Sequence, residues 1–260
     1  MEKEHLGGSL NKTNTKGINC LNYLKNKFNI KTLLDVGCGP GGIIEYCKNI
    51  DIDAFGLEGD SKVYNSSKVK NKIKKIDFSE EKYESKKIYD LVYSHEFLEH
   101  VDEKYMVNYL EAFKNSKYVL ITAAPEGWTG HHHVNCQNNL YWIKKFNEIG
   151  LYHYPYESYK IRKVCNKRKN PAKNHKKFIV NRGLFFINLD NIKKSKNKKS
   201  YKIINNNDLN NKKNLNDIIE KELIISENYK ELNYIHGNAI VKKMKNKLFE
   251  SNIPLVSYIK

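Results

Sequence analysis

Apolar residues return along the first 150 positions of the chain in two rhythms. Ile18, Leu21, Leu24 and Phe28 recur at three- and four-residue spacing, one face of a helix. The segment "KTLLDVGCGPGG" (31–42) then predicts a short buried strand running into a glycine turn, and "GIIEYCKNI" the helix behind it. "DAFGLEGD" predicts a second strand ending in acids, "KKIDF" a shorter third and "YDLVYSHEF" a fourth. "KYMVNYLEAFKNS" places Met106, Tyr109, Leu110 and Phe113 on one helical face. "KYVLITAAP" is a fifth strand closed by Pro125, and "NLYWIKKFNEIG" a helix stopped at Gly150. Short apolar strands alternating with helices predict an α/β fold: a mostly parallel central sheet with helices on both faces.

Past residue 150 the rhythm changes. "LYHYPYESYKIRK" and "KFIVNRGLFFINL" read as longer strands of alternating character, an antiparallel pair finishing the sheet, with the polar basic loop "VCNKRKNPAKNHK" between them. "DNIKKSKNKKSYKIINNNDLNNKKN" is low in complexity and predicts a linker. "LNDIIEKELIISENY" and "NAIVKKMKNKLF" predict two helices beyond it. The expected organisation is a main domain over 1–190, a basic linker over 191–213 and a basic helical C-terminal extension over 214–260.

Composition changes this picture only in part. No run of about 18 apolar residues predicts a membrane span, and the first residues lack the apolar centre of a secretory signal. The five cysteines are an odd number without a CxxC pair, which reads as reduced thiols in a cytoplasmic protein. The formal charge of +17 is lopsided: residues 1–150 hold 21 basic and 20 acidic side chains, and residues 151–260 the remaining 25 and 9. Such a half suits nucleic acid, acidic glycans or anionic lipid. A chain saturated in Lys, Asn and Ile acquires basic tails from composition alone, so charge is a weak pointer.

Asp35, Gly37, Gly39 and Gly41 form D-x-G-x-G-x-G at the end of the first strand. Gly37, Gly39 and Gly42 also satisfy GxGxxG, which leaves a nicotinamide dehydrogenase as an alternative. A carboxylate at the strand end suits a cationic, donor-rich ligand better than a pyrophosphate. "LLDVGCGPGG", followed in order by "FGLEGD", "IDF" and "YDLVYSHEFLEHV", resembles the class I S-adenosylmethionine-dependent methyltransferases over about residues 18–190. The resemblance implies a Rossmann-like methyltransferase fold with Asp35, Gly37, Gly39 and Gly41 as the cofactor loop. It implies Glu58 (or Asp60 in its place) on the ribose hydroxyls, Asp77 at the adenine amino group and Phe78 against the ring. Ser94 and His95 are implied where the fourth strand opens toward the donor methyl. An ordinary loop acid is the alternative for Asp77.

Methyl transfer to a hydroxyl needs a base or a Lewis acid. "HEFLEH" is not the HExxH of zinc peptidases, because Glu99 stands where the second histidine belongs. Glu96, Glu99 and His100 instead form E-x-x-E-H, whose spacing puts them on one face if the segment is helical. A mixed carboxylate and imidazole set suits Mg²⁺ or Mn²⁺. With His131, His132 and His133 in the loop after the fifth strand, the set resembles metal-dependent O-methyltransferases, including small-RNA 2′-O-methyltransferases. That resemblance implies Glu96, Glu99, His100 and a later histidine as ligands. The loop "GHHHVNCQNNLYW" also resembles methyltransferases of glycan biosynthesis, which implies His133 as fourth ligand or base and Trp128, Asn135, Gln137 and Tyr141 around a sugar. His95 and His131 are the other candidate bases. The alternative for E-x-x-E-H is a glutamate bonded to backbone amides and a packed histidine, with no metal. The acceptor expected is a sugar of a glycan or nucleotide sugar. RNA ribose is the runner-up, held by 16 Lys/Arg against Asp190 alone over 160–202; a lapsed binding module is a third reading.

Overall fold

In the central strands, odd- and even-numbered side chains leave for opposite faces of one sheet, and each face collects its own helices. The computed structural model describes residues 18–165, 178–193, 201–204 and 255–258. In chain order these form α1 (Ile18–Phe28), β1 (Thr32–Val36), α2 (Gly42–Lys48), β2 (Asp53–Glu58), α3 (Ser61–Ser66), β3 (Ile73–Lys75) and β4 (Tyr89–His95). Then come α4 (Met106–Lys114), β5 (Ser116–Thr122), α5 (Asn139–Glu148), β6 (Leu151–His153), α6 (Pro155–Cys165), α7 (Phe178–Arg182), β7 (Leu184–Asn188) and α8 (Leu189–Lys193). Two further short strands are β8 (Tyr201–Ile204) and β9 (Leu255–Tyr258).

Leu33, Leu91, Tyr93, Leu120, Phe185 and Ile187 pack with α1, α2 and α6 on one face. Leu34, Val92, Val119, Ile121, Leu184 and Phe186 pack with α4 and α5 on the other. The seven strands run β3-β2-β1-β4-β5-β7-β6. The pairs from β3 across to β5 are parallel, and β7 is antiparallel to both its neighbours. The strand order reverses direction between β1 and β4, and ligands of open α/β sheets bind outside the strand C-termini at such a point.

The expected antiparallel finish is present, but in shorter form. Only Leu151–His153 and Leu184–Asn188 of the two expected long strands are extended; most of the remainder is helix. Pro155 is the local cause, since its fixed φ and missing N–H suit a first helical position. Tyr154, Ser158 and Ile161 then fall at helical spacing and are buried. The helix α3 was not expected; Asp60 caps it by accepting from the Lys62 and Val63 amides. The strands β8 and β9 pair antiparallel inside stretches expected as linker and helical extension. The two expected C-terminal helices (215–229 and 238–249) lie outside the described residues.

Candidate active site

The turn after β1 is shaped by three left-handed glycines, with φ of 72° at Gly37, 57° at Gly39 and 87° at Gly41. Amides of Gly37 and Cys38 both donate to the Leu57 carbonyl, 3.0 Å each, and tie the turn to β2. A methyl group on Gly37 would come within 2.5 Å of the Phe97 ring, whereas Gly39 faces open space. The Gly39 amide donates to Glu58 Oε2 at 2.8 Å, and the Asp60 amide to Glu58 Oε1 at 2.9 Å. Asp60 itself is committed to capping α3, so Glu58 is the acid that faces the turn.

Burial, and then the nearby Glu58 carboxylate, push the Asp35 carboxyl well above its ordinary range. Glu58 is raised as well, mainly by burial. Two desolvated acids beside an open glycine turn make a pocket short of positive charge, and a ligand carrying ammonium and sulfonium groups fits that shortage. Asp77 accepts from the Ser79 amide and hydroxyl at 2.9 and 2.6 Å.

Two residues expected at the cofactor make contacts within the fold. Phe78 is a core residue: its ring meets Phe97 and Tyr109 edge-on, and it packs with the helices of the α4 face. The residue over the glycine turn is Phe97, which sequence reasoning passed over. Ser94 is fully buried, and its hydroxyl donates to the Val36 carbonyl at 2.9 Å, bracing β4 against β1.

The run after β4 is also not the helix that the spacing implied. Glu96 adopts φ of 55°, and its amide is held at 3.1 Å by both the carbonyl and the hydroxyl of Thr122 on β5. Residues Leu98–His100 form a single 3₁₀ turn, and the α-helix waits until Met106. The Glu99 carbonyl accepts from the amides of Val134 and Asn135 at 2.9 and 3.0 Å, which docks the loop after β5 onto this turn. Asn135 is buried and donates to the Val101 carbonyl, so it anchors the loop and does not line its outer side. Gln137 donates to Asn135 Oδ1, while Tyr141 packs partly into the core and Trp142 fully.

Docking brings His133 beside His100, ring centroids 4.9 Å apart and nearly perpendicular. Ligand atoms of Glu99, His100 and His133 lie within 4.8 Å of one another. Glu99 is 0% exposed and neither carboxylate oxygen has a hydrogen-bond partner. Burial, and then Glu96, push its carboxyl up to about 8. His100 is pushed down to about 4, by burial and then by His133. His100 Nδ1 lies 3.1 Å from the His132 carbonyl and His133 Nδ1 lies 3.3 Å from the Trp128 carbonyl. Each Nδ1–H donates to its carbonyl, which assigns a free lone pair to each Nε2, the tautomer a metal ligand needs. A buried unpartnered carboxylate with two such imidazoles fits a divalent cation, because an uncompensated buried acid is costly to keep.

Glu96, expected among the ligands with Glu99, His100 and His133, is outside this cluster and paired with Arg182. His95 is buried at the end of β4, against Tyr93 and Phe178. His131 is exposed in the loop. Arg182 was not singled out by sequence reasoning, and no local signal marks it: it lies 86 positions from Glu96.

The family described as "Methyltransferase domain" matches residues 16–176, and the chain belongs to it. With the sheet order above, the protein is a class I S-adenosylmethionine-dependent methyltransferase. No curated protein matches the chain. Among solved structures, a TehB-like SAM-dependent methyltransferase of Corynebacterium glutamicum is 16% identical, with TM-score 0.44 over 67% of this chain and 89% of its own. A SAM-dependent methyltransferase of Archaeoglobus fulgidus is 16% identical, with TM-score 0.42 over 66% and 91%. Magnesium protoporphyrin IX methyltransferase of Synechocystis, with bound SAH, is 14% identical, with TM-score 0.42 over 53% and 72%. Among the described residues, no helix is long and apolar enough to cross a membrane.

Proposed function

We propose that the protein transfers the S-adenosylmethionine methyl group to a sugar hydroxyl, in a glycan or nucleotide sugar, beside a divalent cation held by Glu99, His100 and His133. The observation that carries this reading is Glu99: a fully buried carboxylate with no hydrogen-bond partner, facing two imidazoles. Asp35 and the Gly37–Gly41 turn take the methionine end of the donor, and Glu58 takes the ribose hydroxyls. These acids balance the donor's positive charge, and Gly39 leaves its backbone room to approach.

A bound cation supplies Lewis acidity that lowers the pKa of a hydroxyl touching it. A sugar offers vicinal hydroxyls that can chelate such an ion, and this supports a sugar acceptor. As the O–C bond forms and the C–S bond breaks, the hydroxyl proton must leave for a base. His131 and His95 flank the cluster in chain position, and we assign that role to the exposed His131. Trp128, half-buried in the same loop, gives a sugar an apolar face to rest on.

The charge excess of residues 151–260 favours a second acceptor, the ribose 2′-hydroxyl of RNA. One assay separates the two. Labelled methyl transfer is followed with nucleotide sugars, oligosaccharides and RNA, with Mn²⁺ or Mg²⁺ and with EDTA. The sugar reading expects transfer to the saccharides that survives high salt and stops in EDTA. Transfer to RNA alone, falling steeply with salt, would replace it; transfer undiminished by EDTA would remove the cation.

A further inference from the structure

Glu96 belongs to the E-x-x-E-H run yet has a partner of its own. Its Oε1 accepts from Arg182 Nε at 3.1 Å and its Oε2 from Arg182 Nη2, the two-point fork that a guanidinium makes with a carboxylate. The guanidinium also lies over two rings, 5.1 Å from the centre of Trp128 and 4.7 Å from that of Phe178. Glu96 directly follows β4, Trp128 belongs to the loop that carries His133, and Phe178 and Arg182 come from α7. Arg182 is 8% exposed, and breaking such a buried, forked pair is strongly unfavourable. Glu96 is fixed further by its left-handed backbone and its doubly bonded amide. Glu99, three positions on, is buried deeper and neither of its carboxylate oxygens has a hydrogen-bond partner; the Arg182 charge lowers its carboxyl by less than burial and Glu96 raise it.

We propose that Arg182 is a positioning residue that withholds Glu96 from the metal centre, so that a divalent cation is held there by Glu99, His100 and His133 alone. The inference rests on the cation reading above and adds the ligand count to it. One carboxylate then stands against the ion's two charges, so the ion keeps more of its polarising power than with two carboxylates. Roughly three of the six positions of an octahedral ion stay open for acceptor oxygens and water.

The test uses the full chain with Mn²⁺ as probe, measuring affinity by calorimetry and inner-sphere water by proton relaxation. Glu96→Gln is expected to leave Kd within about threefold of the unsubstituted protein, while Glu99→Gln weakens it at least about 30-fold. Arg182→Met frees the Glu96 carboxylate, which takes an open position. Mn²⁺ then binds as tightly or more so, and the bound-ion relaxivity falls by about a third. Combining Glu96→Gln with Arg182→Met restores the original relaxivity, which collapse of the loop would not do. Equal losses in Glu96→Gln and Glu99→Gln overturn this inference while keeping the cation. Weaker binding with unchanged relaxivity in Arg182→Met also overturns it. Absence of Mn²⁺ binding to the unsubstituted protein removes the cation reading and this inference together.

Discussion

Glu99→Gln removes one buried ionisable group at nearly constant volume, and its consequence for the cation-free protein has a definite sign. The ordinary glutamate value is 4.5, and the folded protein holds Glu99 up at about 8. Between those values the folded state keeps a proton that the unfolded chain has released. Stability is therefore fully present at acid pH and is lost as pH climbs through the folded value. His100, held down at about 4, and His153, held down at about 3, act in the other sense. Their contribution appears as pH rises toward the ordinary 6.5 and partly masks the loss from Glu99. Both histidines remain in the variant, so the difference between the two profiles isolates Glu99. One proton of difference is worth about 1.4 kcal/mol per pH unit, so from about pH 5.5 to about pH 7.5 the unsubstituted protein should lose about 2–3 kcal/mol relative to Glu99→Gln. For a domain of this size that is roughly 5–10 °C of Tm. The assay is thermal unfolding by circular dichroism, at half-unit pH steps in EDTA. Mn²⁺ should then raise Tm of the unsubstituted protein and leave the variant unmoved. Superimposable profiles would refute the placement of Glu99 as a buried, unanswered acid.

Cation binding must displace the Glu99 proton, so below about pH 8 the Mn²⁺ affinity measured by calorimetry should rise about tenfold per pH unit and then level. An affinity that does not change between about pH 6 and about pH 8 would refute this linkage. Gly37→Ala and Gly39→Ala separate packing from ligand approach. The first drives a methyl group to 2.5 Å from the Phe97 ring and should lower both Tm and S-adenosylhomocysteine affinity. The second meets nothing within 4 Å, so it should cost only about 1–2 kcal/mol for its left-handed φ while weakening the ligand at least about tenfold. Lys27→Met strips the cation from the fully buried Glu157 and should destabilise by about 2–3 kcal/mol in urea melts. The figure sits below the usual range for buried pairs because 35% of the Lys27 side chain stays exposed. Adding Glu157→Leu should regain most of the loss; no recovery would place the effect elsewhere.

The sheet and the glycine turn were legible because their causes are local. Each strand from β1 to β5 carries its own alternation, and three glycines in five positions mark backbone that only glycine adopts cheaply. The second half of the sheet was half legible. "LYHYPYESYK" alternates well enough to pass for a strand, yet Pro155 in its middle was a signal for a helix start. The place of Phe78 after Asp77 does not show that its ring meets Phe97 and Tyr109 edge-on, contacts made by residues distant in the chain.

Residues 96–100 failed for a different reason. Spacing of i, i+3 and i+4 bears on a shared face only if the segment is helical, and here Thr122 on a neighbouring strand holds the Glu96 amide and turns the backbone left-handed. The choice between the two acids is likewise made at long range. Glu96 meets a guanidinium delivered 86 positions later by α7, whereas Glu99 is covered by a loop that brings imidazoles and no cation. E-x-x-E-H therefore names a set of possible ligands that long-range packing divides: Glu96 is paired with Arg182, and Glu99 is left without a hydrogen-bond partner beside His100 and His133.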